Sequence, residues 1–286
     1  MQPFDYVRPS TLAEAVGLLA ERGPDARVLA GGTDLLIRLR DGSLRPSVVV
    51  DVKRVPELAP GIRVEGGSLV IGATTAMTEI AAHPVIRRDL AALAEAAAVV
   101  GSVQIRNRAT LAGNLCNASP AADTAPALLV HGAVIVIAGP AGERRLALDD
   151  LFVLSGVTTL DRGELVTAVE LPVPPTRLAS AHQRRTRRRG HDLASVTLAV
   201  GVDARGSARV AFGSVGPRPI LRVDESGTLA DAAASEAAVD DVLEGLLADA
   251  SPSATSMRAG PAYRLAMLRV LARRARATVL ERLADA

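Results

Sequence analysis

The chain has 286 residues, 49% of them hydrophobic and 2% aromatic, and its 33 basic and 31 acidic side chains leave a formal net charge of +2. That length fits one large domain or two to three small ones, and so near a charge balance does not by itself imply a nucleic-acid partner. The single cysteine, Cys116, excludes an internal disulfide framework, a cysteine zinc site and a four-cysteine iron–sulfur cluster.

The first element is a helix from Leu12. Thr11 and Glu14 have capping-box spacing, and Gly23 ends the apolar pattern. Arg27–Ala30 reads as a short strand running into Gly31-Gly32-Thr33-Asp34 and a helix-like segment, LLIRLRDG. A helix N-terminus exposes unpaired N–H groups suited to phosphate. The same residues also fit an ordinary tight turn with Asp34 as a cap. They match neither a Walker P-loop nor the Rossmann G-x-G-x-x-G pattern.

Ser47–Val52 has a buried-strand pattern. Ile62–Glu65, Gly66-Gly67 and Ser68–Gly72 form a hairpin signature. A short helix is expected over Thr78–Ala82, broken by Pro84, and a second over Arg87–Val100. Arg106 and Arg108 then precede Thr110–Asp123, TLAGNLCNASPAAD, a stretch of glycine, asparagine and small residues read here as a long loop. Such backbone approaches a ligand closely, and successive N–H groups form a concave anion site. An Asx/Ser-rich turn is the plainer reading of the same residues. Cys116 lies inside it with no adjacent His or Asp to act as base, and reads as a small buried hydrophobe.

Ala133–Ala138 and Arg144–Leu148 are expected to form another hairpin, Asp149–Phe152 a short helix, and Glu164–Leu171 a strand stopped by Pro172. The Pro172–Pro175 run marks the best domain boundary. This divides the chain into 1–175, itself split at 55/56, and 176–286. The Arg184–Arg189 region reads as a solvated face or a nucleic-acid patch, and it lacks the interleaved aromatics of the latter. Leu193–Val202 and Ala208–Gly213 form a further hairpin, and the chain from about Ser235 is helical. No apolar run approaches the ~18 residues of a membrane span, and the N-terminus has no signal pattern, so a cytoplasmic location is expected.

These features together resemble the FAD-binding subunits of the molybdenum hydroxylases. The resemblance runs nearly end to end. It rests on Phe4–Pro9 with Thr11–Ala15, on Ala30-Gly31-Gly32-Thr33-Asp34-Leu35-Leu36, and on Arg106–Asn114 continuing through Asn117–Pro120 to Asp123. Arg188-Arg189 with Asp192-Leu193-Ala194, and Phe212–Gly216, extend it to the C-terminal part. It implies an α+β fold: a two-subdomain PCMH-type (vanillyl-alcohol-oxidase-like) FAD-binding domain, followed by a small domain of antiparallel sheet plus helices.

The resemblance further implies that Gly31, Gly32, Thr33, Asp34 and Leu35 meet the FAD diphosphate through backbone N–H groups. Leu29 and Ala30 lead into that loop. Thr110, Gly113, Asn114 and Ala118 would bind from the second loop, and Asp123 would accept a hydrogen bond from a cofactor hydroxyl. Val100 and Val166 stand where relatives place apolar groups around the flavin or adenine. Arg184 stands either near the isoalloxazine, where a cation favours the reduced anion, or on plain surface, and the arginine run is an alternative docking face for a partner. Two departures are visible. Ala112 replaces the first glycine of Gly-Gly-Asn, so either that position is not left-handed or the loop differs locally. Gln183 replaces an aromatic.

FAD would carry the redox chemistry. No nucleophile–base pair stands out, and His83, His131, His182 and His191 lack ligand spacing. The resemblance implies an electron-transfer subunit with two partners, a large subunit holding the molybdenum cofactor and a small 2Fe–2S subunit. A self-contained FAD-dependent oxidoreductase and an FAD-free scaffold are the alternatives.

Overall fold

A computed structural model describes residues 2–172, 178–188 and 190–285. The expected boundary at Pro172–Pro175 therefore lies largely outside the described residues, as does Arg189. The N-terminal part comprises β1 (Asp5–Val7), α1 (Leu12–Arg22), β2 (Ala26–Leu29), α2 (Leu35–Arg40) and β3 (Val48–Asp51). Their sheet has the order β1-β3-β2, with both pairs parallel. Every residue of β3 is buried, as a central parallel strand covered on both faces requires. Thr11 caps α1 as the spacing predicts, but the reciprocal bond from Glu14 goes to the amide of Ser10, at 2.8 Å. Behind β3, Asp51 accepts from Tyr6 and from Lys53, the only lysine of the chain. Burial pushes the Asp51 carboxyl up, but these hydrogen bonds outweigh it and hold the group below the usual carboxylate range.

The central part follows with β4 (Ile62–Glu65), β5 (Ser68–Gly72), α3 (Met77–Ala82), α4 (Pro84–Asp89), α5 (Ala91–Ala98), α6 (Val103–Arg106), α7 (Leu111–Cys116) and α8 (Thr124–Val130). It closes with β6 (Val134–Gly139), β7 (Gly142–Ala147), α9 (Leu148–Leu151), β8 (Phe152–Leu154), β9 (Val157–Thr158) and β10 (Leu165–Pro172). The five-stranded antiparallel sheet has the order β4-β5-β10-β6-β7. The helix expected over Arg87–Val100 is divided in two. Leu90, at φ −130° and ψ 46°, breaks it, and Pro84 starts α4 where a missing N–H costs nothing. α8 is buried at every position, because it packs between α5 and the C-terminal strands that follow.

The C-terminal part contains β11 (Ala179–Arg185), β12 (Val196–Val202), β13 (Ala208–Gly213), β14 (Ile220–Asp224), α10 (Glu236–Leu247) and α11 (Pro261–Ala284). Its antiparallel sheet runs in sequence order, and α10 and α11 close a second core over it. The α+β class read from the sequence is what the structure has. The arginine run starts within strand β11, where Arg184 is half-buried, while Arg185, Arg187 and Arg188 are exposed as a solvated face would be.

Polar contacts tie this part to the central one. The hydroxyl of Ser180 takes the amide of Ala92 and lies 3.1 Å from His131 Nε2, while Arg282 donates to Glu95 and to the Ser180 carbonyl. Burial, with Arg209 nearby, drives the His131 pKa down to about 3, so the ring is neutral. No helix among the described residues is long and apolar enough to cross a membrane.

Candidate functional site

The first glycine turn joins β2 to α2. Gly32 has φ +79°, a conformation that disfavours any side chain. Gly31 serves a different purpose: a Cβ there would lie 2.1 Å from the carbonyl oxygen of Arg108. The turn therefore rests directly on the backbone that leads into the Thr110–Asp123 stretch. Asp34 occupies the N-cap position of α2 but makes no capping bond. Among the described residues, no acceptor in the chain takes the N–H groups of Thr33, Asp34 or Leu35.

The second stretch is not the long loop its composition suggests. Its first half is helix α7, capped by Thr110, whose Oγ1 accepts the amide of Gly113 at 3.2 Å. Ala112 lies inside this helix, so no glycine is needed there, which accounts for the departure at that position. The stretch is pinned from below by Met77 N–H to Ala109 O (2.9 Å) and Leu111 N–H to Thr75 O (3.1 Å). Asn114 accepts from Thr124 at 2.6 Å, and Asn117 donates to Asp34 at 3.3 Å, which links the two turns. Ala118 takes φ +45° and gives its carbonyl to the amide of Gly156.

Between these elements lies a cleft of about 590 Å³, within the ~300–1,000 Å³ typical of cofactor sites. Of the residues expected at a cofactor, Ala30, Gly31, Gly32, Thr33, Asp34, Leu35, Val100, Thr110, Gly113, Asn114, Asp123 and Val166 border it. Leu29, Ala118 and Arg184 are not among its lining. Leu29 packs under the first turn, and Ala118 is buried behind the second. Arg184 sits behind Asp123, with Nη1 2.8 Å from Asp123 Oδ2. Oδ1 of the same carboxylate is 3.5 Å from His182 Nε2, which in turn is 3.0 Å from Thr197 Oγ1.

Other lining residues carried no sequence signal of a role. Arg27 and Arg38 add positive charge, and Ile105 and Leu165 add apolar surface. Glu164 also borders the cleft, but Arg144 binds it through both oxygens and holds its carboxyl below the usual range. His191, Asp192 and Leu193 reach in from the segment after β11. The Arg187 guanidinium beside Asp192 holds that carboxyl down at about 2. Cys116, expected to be a buried hydrophobe, is instead exposed and opens onto the cleft.

The donor set fits an elongated anionic cofactor with a planar apolar end. Unpaired amides and asparagine side chains suit a diphosphate. Val100, Ile105 and Val166 suit a ring system, and the carboxylates at Asp34, Asp123, Glu164 and Asp192 all have partners within the chain.

A family model for the FAD-binding domain in molybdopterin dehydrogenase matches residues 2–174, and one for the CO dehydrogenase flavoprotein C-terminal domain matches residues 181–279. The chain is 33% identical over 274 residues to the putative xanthine dehydrogenase FAD-binding subunit of Escherichia coli K12, covering 94% of this chain and 93% of that protein. It is 31% identical to the carbon monoxide dehydrogenase medium chain of Hydrogenophaga pseudoflava, over 95% of each. Among solved structures, reconstituted CO dehydrogenase from Oligotropha carboxidovorans aligns with a TM-score of 0.91 at 32% identity, covering 98% of this chain and 99% of that one. Quinoline 2-oxidoreductase from Pseudomonas putida 86 aligns at 0.83 and 29% identity, over 98% of each.

Proposed function

Because the chain belongs to the family of FAD-binding subunits of the molybdenum hydroxylases, oxidoreductases with FAD as cofactor, we propose that its cleft is where FAD binds and that it serves as the electron-transfer subunit of such a complex. The observation that carries this reading is the meeting of two turns, one with unpaired amides and one with asparagine side chains, at a single cleft of cofactor size. FAD held there would supply the redox chemistry that links the 2Fe–2S clusters of a small partner subunit to an external acceptor. Substrate oxidation falls to a large partner subunit with the molybdenum cofactor.

This chain's own residues bind and orient. The amides of Thr33, Asp34 and Leu35 offer donors to the diphosphate, and Arg27 and Arg38 add favourable charge. Asn114 keeps its side-chain amide N–H groups for the cofactor because its oxygen is taken by Thr124. Val100, Ile105 and Val166 exclude water from the ring system. The Asp123 carboxylate is the acceptor for a cofactor hydroxyl.

The test is the visible spectrum of purified protein after reconstitution with FAD. Flavin absorption that survives desalting in the native chain and is lost in Gly32→Val, with far-UV circular dichroism unchanged, is the expected result. A native chain that retains no flavin at saturating FAD sinks the reading and favours an FAD-free scaffold. Reduction of the bound flavin by substrate without partner subunits would instead mark a self-contained oxidoreductase.

A further inference from the structure

Arg184 reaches inward from β11, and its hydrogen bonds land on three segments far apart in the sequence. Nη1 donates to the carbonyl of Val99 (2.7 Å), just after α5, and to Asp123 Oδ2 (2.8 Å), just before α8. Nη2 donates to the carbonyl of Asp192 at 2.6 Å. Asp123 and Asp192 border the cleft, and Val99 immediately precedes Val100, which also does. Arg184 itself is not among the lining residues. Its side chain is 14% exposed and that of Asp123 is 7% exposed, so water competes little for either. The Arg184 Nε is buried without a partner among the described residues. The guanidinium thus leaves one N–H unmade while it grips three segments, and an unmade buried bond is costly.

We propose that Arg184 is a positioning residue for the cofactor: it fixes the Asp123 carboxylate and the Asp192 segment against the cleft wall without touching the cofactor. This rests on the reading of the cleft as the FAD site. A buried carboxylate has few ways to stay oriented. Here Arg184 holds Oδ2, whereas Oδ1 is buried without a hydrogen-bond partner among the described residues: His182 Nε2, 3.5 Å away, is hydrogen-bonded to Thr197. Without Arg184, Asp123 keeps only the longer contact, and the Asp192 segment loses its tie to β11. A planar fork of N–H groups can hold several acceptors at once, which a lysine ammonium on a flexible stem does less well.

The experiment is a double-mutant cycle on the full chain, read by FAD affinity from flavin fluorescence and by the midpoint potential of the bound flavin. Arg184→Met and Asp123→Asn each weaken FAD binding, on the order of tenfold. The double variant loses less than the product of the two single losses, because part of the Arg184 effect runs through Asp123, and Arg184→Lys recovers part of the loss. Adding Arg184→Met to Asp123→Asn leaves the potential unchanged. Fully multiplied losses in the double variant, or a shifted potential in the Asp123→Asn background, overturn the proposal, because Arg184 would then act independently of the carboxylate it is said to position. If Arg184→Met does not fold, Arg184→Lys carries the same cycle with the same criteria. A native chain that binds no FAD is a separate outcome, and it removes the reading of the cleft and this inference with it.

Discussion

The two turns that meet at the cleft use glycine and polar side chains in opposite ways. The first, at Gly31–Asp34, leaves its amides unpaired and takes its shape from a left-handed Gly32 and from the contact of Gly31 with the Arg108 carbonyl. The second satisfies much of its own backbone, through the Thr110 cap, the α7 ladder and bonds to Thr75 and Met77. One is a set of donors waiting for an anion, and the other is a rigid frame that carries asparagines. Binding sites built on loops need such a frame, because unsatisfied amides do not hold their own geometry.

Breaking the contact between the two should have the largest effect. Gly31→Ala places a methyl on the Arg108 carbonyl, where only backbone can yield, and should cost about 3 kcal/mol, the upper part of the overpacking range. Chemical denaturation would read this, and FAD binding should vanish with it. Gly32→Ala keeps the contact but strains the backbone, at about 1–2 kcal/mol. Its Cβ would meet the movable end of Leu29 at 3.0 Å, so stability should fall less than affinity. Equal losses in stability for the two glycine variants would refute the division of labour drawn here.

His131 offers a reference far from both turns. The folded chain keeps this ring neutral down to about pH 3, whereas an unfolded chain protonates it near 6.5. The unfolded state therefore binds more protons in that window, and stability falls as pH drops from 6.5 toward 3, by about 1.4 kcal/mol per pH unit from this group. His131→Asn should flatten the slope of melting temperature against pH relative to the native chain, and an unchanged slope would show that His131 does not carry it. The smallest effect is expected from Thr110→Val. It removes the α7 cap at about 1 kcal/mol, and FAD affinity should drop only slightly if the first turn carries the donors.

Much of this was legible in the sequence because local rules sufficed. Gly66-Gly67 between two strand-like runs gave the β4–β5 hairpin, Thr11 gave the start of α1, and the helical tail expected from about Ser235 holds α10 and α11. The misreadings have a common origin in tertiary contacts. Thr110–Asp123 looked like a loop because its composition is small and polar, yet backbone bonds with Thr75 and Met77, more than thirty residues earlier in the chain, anchor the start of its helical first half. Arg184 looked like surface or flavin contact because nothing nearby in the sequence shows that Val99, Asp123 and Asp192 converge on it. The contribution of Cys116 and His191 to the cleft was hidden for the same reason.

The wall of the cleft is drawn from residues as early as Ala26 and as late as Leu193. On a ribosome adding ~5–20 residues per second, roughly 10–30 seconds separate the emergence of the first and last of them. For the first half of that interval the Gly31–Asp34 amides lack the Thr110–Asn117 frame that faces them. The cleft proposed for FAD is complete only late in synthesis, once the segment after β11 has been made, long after the glycine turn that comes first.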